Sequence, residues 1–190
     1  MNSNYDNLFL IAEAQDGYFT IHQASLAGYS RKDISASTKR GKFIRVFRGI
    51  YRIKHYPSSE NEDIMVAILK SGPRAVASHD TALAIYQLSD IMPAAIHLTI
   101  PKNRSRRHPE IRYHTSKITP QEITFFNGLP ITTVERTITD GIRGGIEPSL
   151  MQQAINQAIQ RGMITKSSLM EQANKYGNLT RNEVKTYLGE

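Results

Sequence analysis

The sequence predicts an α+β protein made of two pieces, and three observations carry that prediction. Residues 5–41 hold short segments with helical apolar spacing, each opened by a capping residue or closed by a glycine. A β-branched and aromatic run follows at Phe43 to Ile53, and two more extended runs, "AIHLTI" and "EIRYHTS", lie mid-chain. From Pro148 onward the periodicity is helical again.

Composition sets the bounds. The chain has 190 residues, 39% hydrophobic and 22% charged, which is ordinary globular composition and enough for one domain or two small ones. It has no cysteine, so a disulfide framework and thiolate metal sites are excluded. No apolar run approaches the ~20 residues that span a bilayer. No basic region precedes the apolar patch of "MNSNYDNLFLIAEAQDGYFT", so no secretory signal is visible and a cytoplasmic location is the default expectation.

The first helix is predicted from Tyr5, Leu8, Phe9, Ile11 and Ala12, and Asp16-Gly17 ends it. In "TIHQASLAG", Thr20 and Gln23 read as a capping box and Gly28 as the stop, with Ile21, Ala24 and Leu26 facing inward. Ser30 with Asp33 opens a third helix, Tyr29 and Ile34 can staple its start, and Gly41 closes it. "FIRVF", "RG" and "IYRI" then read as two strands around a tight Arg48-Gly49 turn.

Charge is concentrated in this region. Residues 30–54 carry nine Lys or Arg against one acid, whereas residues 1–29 sum to −3 within a total of +7. At ~100° per residue, Arg31, Lys32, Ser35, Lys39 and Lys42 share one side of the third helix, with Ile34, Ser37 and Thr38 opposite. Arg40 is a further candidate DNA contact, and Arg45, Arg48 and Arg52 decorate the ribbon. Two helices, a basic helix and a basic hairpin follow the order of a winged helix-turn-helix. Its third helix can enter a major groove while the hairpin meets the backbone or minor groove.

"HYPSSENED" marks a break near Pro57, which divides the chain into a winged domain, 1–56, and a second domain, 57–190. In the latter, Ser59 is the expected cap of a helix carrying Ile64, Ala67, Ile68 and Leu69 and ended by Gly72-Pro73. Ser78 opens another short helix. "AIHLTI" and "EIRYHTS" are expected as neighbouring strands, with "PKNRSRRHP" as a hairpin tip between them. That tip carries a second basic patch, Lys102, Arg104, Arg106 and Arg107, which reads equally as a solvated loop or a phosphate contact. Asn127-Gly128 is a turn, Ile131-Thr132 is extended, and Thr132 with Glu135 is a further capping box. Leu150, Met151, Ala154, Ile155, Ala158 and Ile159 make a broad apolar stripe on one helix, followed by a helix with Leu169 and Ala173 and a last one capped by Thr180. The result is a mixed α/β domain with a helical C-terminal segment.

No phosphate loop, nucleophile elbow or helical zinc motif occurs, and the six histidines are scattered without metal-ligand spacing. "SHD", Ser78 to Asp80, reads as a helix start because neighbouring side chains on a helix diverge. "EVK", Glu183 to Lys185, has no upstream acid to share a metal. No catalytic residue, metal or cofactor is expected.

"GYFTIHQASLAGYSRKDISASTKRGKFIRVFRGIYRI", "SHDTALAIYQLSD", "IHLTIPKNRSRRHP", "RYHTSKI" and "GLPITTVERTITD" together resemble the AbiEi family of antitoxins over Gly17 to about Asp140. The resemblance implies a bacterial abortive-infection, or phage-defence, toxin–antitoxin protein. Its winged helix would repress its own operon by binding promoter DNA, and its C-terminal domain would counteract a nucleotidyltransferase-like toxin, with or without direct contact. Some multidomain proteins with a similar start continue into an endonuclease, but this chain is expected to stop too early and lacks the carboxylates. The alternative is a nucleic-acid-processing enzyme or RNA-binding protein using the basic loop 102–108.

Overall fold

The computed structural model describes residues 4–102 and 108–189, which form two compact units. Unit 1 comprises residues 1–75 with 125–129, and unit 2 comprises 76–124 with 130–190. The patch residues Arg104, Arg106 and Arg107 fall outside the described residues, and Lys102 is exposed.

Unit 1 begins with α1 (Asn4–Glu13), β1 (Tyr18–Thr20), α2 (Ile21–Leu26) and α3 (Arg31–Lys39). Both expected capping boxes form: Thr20 with Gln23, and Ser30 with Asp33, each side chain satisfying the other residue's backbone N–H. β2 (Phe43–Phe47) and β3 (Ile50–Ile53) pair antiparallel, and β1 adds to the other edge of β3 in the order β1-β3-β2. This is a winged-helix start within an α+β chain.

A small aromatic core holds it. Phe19, Ile34 and Phe43 are essentially inaccessible, and the Phe19 and Phe43 rings meet edge to face at 5.0 Å between centroids. Tyr29 lies edge-on to Phe43 at 5.9 Å, so the residue before the α3 cap does pack inward. Gly17 is required where the chain turns from α1 into β1. Its φ is +80°, and a Cβ there would come within 2.4 Å of the Tyr56 ring. α4 (Glu62–Ser71) belongs to the same unit, so the expected break at Pro57 lies inside unit 1.

Unit 2 is built on a five-stranded sheet in the order β6-β5-β4-β8-β7. Its strands are β4 (Val76–Ala77), β5 (Ile96–Ile100), β6 (Ile111–Thr115), β7 (Ile123–Phe126) and β8 (Leu129–Thr132); the last two are joined by the Asn127-Gly128 turn, and residues 125–129 of that hairpin are counted with unit 1. Helices α5 (His79–Tyr86), α6 (Val134–Arg143), α7 (Pro148–Gln160), α8 (Lys166–Asn174) and α9 (Asn178–Leu188) complete it. Met151, Ala154, Ile155 and Ala158 of the expected stripe are buried, as a core face requires.

Several local expectations are corrected. β5 and β6 run parallel, so they are not the two arms of a hairpin. Leu26 is 73% exposed, because a six-residue helix is too short to fix its phase from sequence. The cap of α6 is Thr133, leaving Thr132 to hydrogen-bond within the core. α9 begins after Gly177, which puts Thr180 inside the helix and buried. Asn61 stands at the cap position of α4 without a capping bond, whereas Ser59 bonds the Asn61 N–H and Asp16.

A buried ionic knot ties α6 to the turn before β7 and to α8. Arg136, 1% exposed, donates to Asp140 at 2.8 Å and to Glu122 at 3.1 Å, while Gln172 donates to Glu122 at 2.7 Å. Burial would raise the Glu122 carboxyl, but hydrogen bonds from Thr119, Gln172 and Arg136 outweigh it and hold the group at about 2.

Candidate nucleic-acid interface

α3 is anchored on one side only. Ile34 and Ser37 are buried, and Thr38 turns its hydroxyl to the Ile34 carbonyl at 2.8 Å. Arg31, Lys32, Ser35, Lys39 and Arg40 are exposed, and Lys42 extends the row beyond Gly41. The one acid of the helix, Asp33, is engaged by the cap. Its carboxylate accepts the Ser30 hydroxyl at 2.6 Å and the Ser30 N–H at 2.9 Å, which holds its pKa below the usual range. The short helix therefore presents an outward row of cations with a hydroxyl, Ser35, at its middle.

The wing extends the positive surface. Arg45 and Arg48 are exposed, Arg45 standing opposite Tyr51 and Arg48 at the turn. A register shift between Arg45 and Phe47 makes β2 irregular just before the turn. Ile44, Val46 and Phe47 are 43%, 42% and 38% exposed, so this outer strand combines basic and apolar side chains. The Lys70 ammonium lies 4.4 Å from the centre of the Phe47 ring.

Arg52 departs from the expected role. Its side chain is 11% exposed and donates to the carbonyls of Tyr56 and Pro57 at 2.8 and 2.9 Å and to Glu62 at 3.0 Å. Tyr18 donates to the same Glu62 carboxylate at 2.8 Å, and burial together with that bond raises the phenol pKa. Arg52 clamps β3 to the segment leading into α4 and is not a free groove contact.

Lys54 was missed. Its N–H pairs with the Lys42 carbonyl at 3.1 Å, and its ammonium lies 3.5 Å from where a Cβ on Gly41 would stand. It thus joins Lys42 at the C-terminal end of α3. Continuing the β2–β3 ladder by one residue pair beyond Phe43 and Ile53 would have located it.

In unit 2 the chemistry-bearing residues need a second correction. His79, His97 and His114, distant in sequence, come together: the His79 and His114 rings stack with centroids 3.5 Å apart, and His97 Nδ1 lies 3.3 Å from His114 Nε2. The side chains of Ser78 and His79 also meet, at 3.0 Å, although Ser78 itself is fully buried and so is no accessible nucleophile. Among the described residues no three His, Asp or Glu side chains are placed to hold a metal ion, and no described helix is long and apolar enough to cross a membrane.

Comparison with known proteins bears on both units. Residues 6–54 match the family model described as transcriptional regulator, AbiEi antitoxin, which covers most of the winged unit. No curated protein matches the chain. Among solved structures, the crystal structure of the RV2827C protein from Mycobacterium tuberculosis superposes with a TM-score of 0.54 at 11% identity, covering 100% of this chain and 77% of that one. That likeness concerns the fold.

Proposed function

We propose that this chain, whose residues 6–54 match the AbiEi antitoxin regulator family, is an antitoxin that represses its own operon by placing α3 in a major groove and counteracts a nucleotidyltransferase-like toxin through its second domain. The exposed row Arg31, Lys32, Ser35, Lys39, Arg40 and Lys42, continued by Arg45, Arg48 and Lys54, carries the first half of this reading. Cations at that density attract phosphates by counterion release, and a helix buried along one narrow stripe leaves its other face for base edges. The wing cations supply affinity, and Arg31, Ser35 and Lys39 read sequence. The protein acts in the cytoplasm, without a catalytic step and without a cofactor.

Footprinting the purified protein on DNA upstream of its own gene tests the repressor half. A protected segment that is lost when Arg31, Lys39 and Arg48 are replaced together by alanine is expected. Uniform weak protection of any DNA would overturn it. Co-expression with the product of the adjacent gene tests the antitoxin half, the expected result being growth rescued by the full chain.

A further inference from the structure

Unit 2 contains a pocket lined by none of the α3 or wing residues. It measures about 320 Å³ and is lined by His79 and Asp80 at the start of α5, His97 on β5, Arg112 and His114 on β6, and the turn 144–147 before α7. The parallel register sets Arg112 beside His97 and His114 beside Thr99, which delivers both β6 side chains to the α5 end of the sheet. His79 has φ +51°, a left-handed conformation that is strained in a residue other than glycine. Such strain persists only where the surroundings enforce it, and here it accompanies a ring stacked on His114 with 12° between the planes.

The hydrogen bonds define what the pocket offers. Thr99 donates to the Ser78 hydroxyl at 2.8 Å, leaving that hydroxyl's hydrogen for His79 Nδ1 at 3.0 Å. This assigns the His79 proton to Nε2. His97 Nδ1 stands 3.3 Å from both Asp80 and His114 Nε2, so one N–H faces two acceptors. The carboxylates are already engaged: Asp80 by His97, and Glu147 by the hydroxyl and N–H of Ser149 and the N–H of Leu150. Backbone N–H groups of residues 144, 145 and 146 bond carbonyls of α6. Arg112 is different. Its guanidinium is exposed and has no hydrogen-bond or ion-pair partner among the described residues.

We propose that this pocket binds a small phosphomonoester, whose phosphate is held by Arg112 while the histidine cluster takes up a proton from solvent to complete the charge match. The surroundings disfavour the charged form of each imidazole. Burial and the neighbouring histidines and arginines push His79 down to about 3, and burial, His97 and Arg112 push His114 to about 4. Burial likewise lowers His97, against the pull of Asp80. The charged groups acting on the cluster are Arg112 from β6, Arg136 and Arg143 from α6, and Asp80 from α5, with Glu147 at the pocket wall. A dianion set among them favours the protonated imidazole, so binding and proton uptake are linked. A divalent metal is the rival chemistry for any histidine cluster. The face-to-face packing of His79 and His114 argues against it, because stacked rings do not aim their nitrogens at one point.

Calorimetric titration of the full chain with inorganic phosphate and with adenosine monophosphate, in buffers of different ionisation enthalpy, tests the proposal. Binding with partial net proton uptake is expected, the affinity falling by less than about tenfold per pH unit between about pH 6 and about pH 8. Arg112→Gln, an exposed change, should weaken it at least about tenfold. His114→Gln should reduce the proton uptake, and Arg31→Ala with Arg48→Ala should leave binding unchanged. Equal affinity for the two probes means that the phosphate alone is recognised, and preference for adenosine monophosphate means that the pocket also grips the organic part. Both results support the proposal. Binding by neither probe, binding indifferent to Arg112→Gln, or binding removed by the α3 and wing variants would overturn it. So would zinc binding with proton release by a protein that ignores both phosphates.

Discussion

Arg31 projects from the first turn of α3 and Arg48 sits at the wing turn, so replacing each by alanine should have different consequences. Loss of a base contact costs about 1–3 kcal/mol and relaxes specificity, whereas loss of a phosphate contact weakens all sequences alike. Arg31→Ala is expected to lower the ratio of operator to scrambled-DNA affinity, and Arg48→Ala to lower both affinities together. Competition binding on the two duplexes reads the difference. Arg52→Ala should instead cost roughly 2–3 kcal/mol of unfolding free energy in urea, by breaking charged hydrogen bonds within unit 1, with little change in DNA salt dependence. Composition alone cannot separate Arg52 from Arg48. Both are arginines of one ribbon, and only the position of Glu62 and the Tyr56 carbonyl distinguishes them. Lys54 was hidden for the opposite reason, since it lies one residue beyond the strand that made the pattern.

Capped helices were the most legible elements, because a capping box is written within four residues and both N-terminal boxes formed as expected. Ser30→Ala should therefore cost about 1 kcal/mol and weaken DNA binding through fraying of α3, observable as a lowered thermal midpoint. Strands of two or three residues, β1 and β4, gave no periodicity to read. Nor could the sequence show that β5 and β6 lie parallel, which is what gathers the three histidines. That gathering has a pH consequence. Each imidazole has a folded pKa below its unfolded value near 6.5, so the unfolded state binds more protons as pH falls below about 6.5. Stability is full above that pH and should decline down to about 3, the His79 value, and Glu122, held at about 2, continues the loss below its unfolded value. Urea midpoints measured across that range check the sign. A midpoint that rose on acidification would contradict the neutral cluster.

At the scale of the molecule, the two units invite a division of labour. Unit 1 holds the exposed basic face, and unit 2 holds the buried Arg136 knot, the histidine pocket and the helical end. A fragment of residues 1–75, which keeps α4 with the wing, should retain DNA binding yet fail to rescue cells from the adjacent gene's product. If α3 and the wing together form the DNA-binding face, the salt dependence of operator affinity shows it most directly. Eight exposed cations, Arg31, Lys32, Lys39, Arg40, Lys42, Arg45, Arg48 and Lys54, stand on that face. With a slope of about −0.9 per phosphate neutralised, the plot of log affinity against log salt should run between about −3 and −7 for the operator. It should flatten by about one unit in Arg48→Ala. A slope near zero, or one unmoved by any of these eight substitutions, would contradict the account.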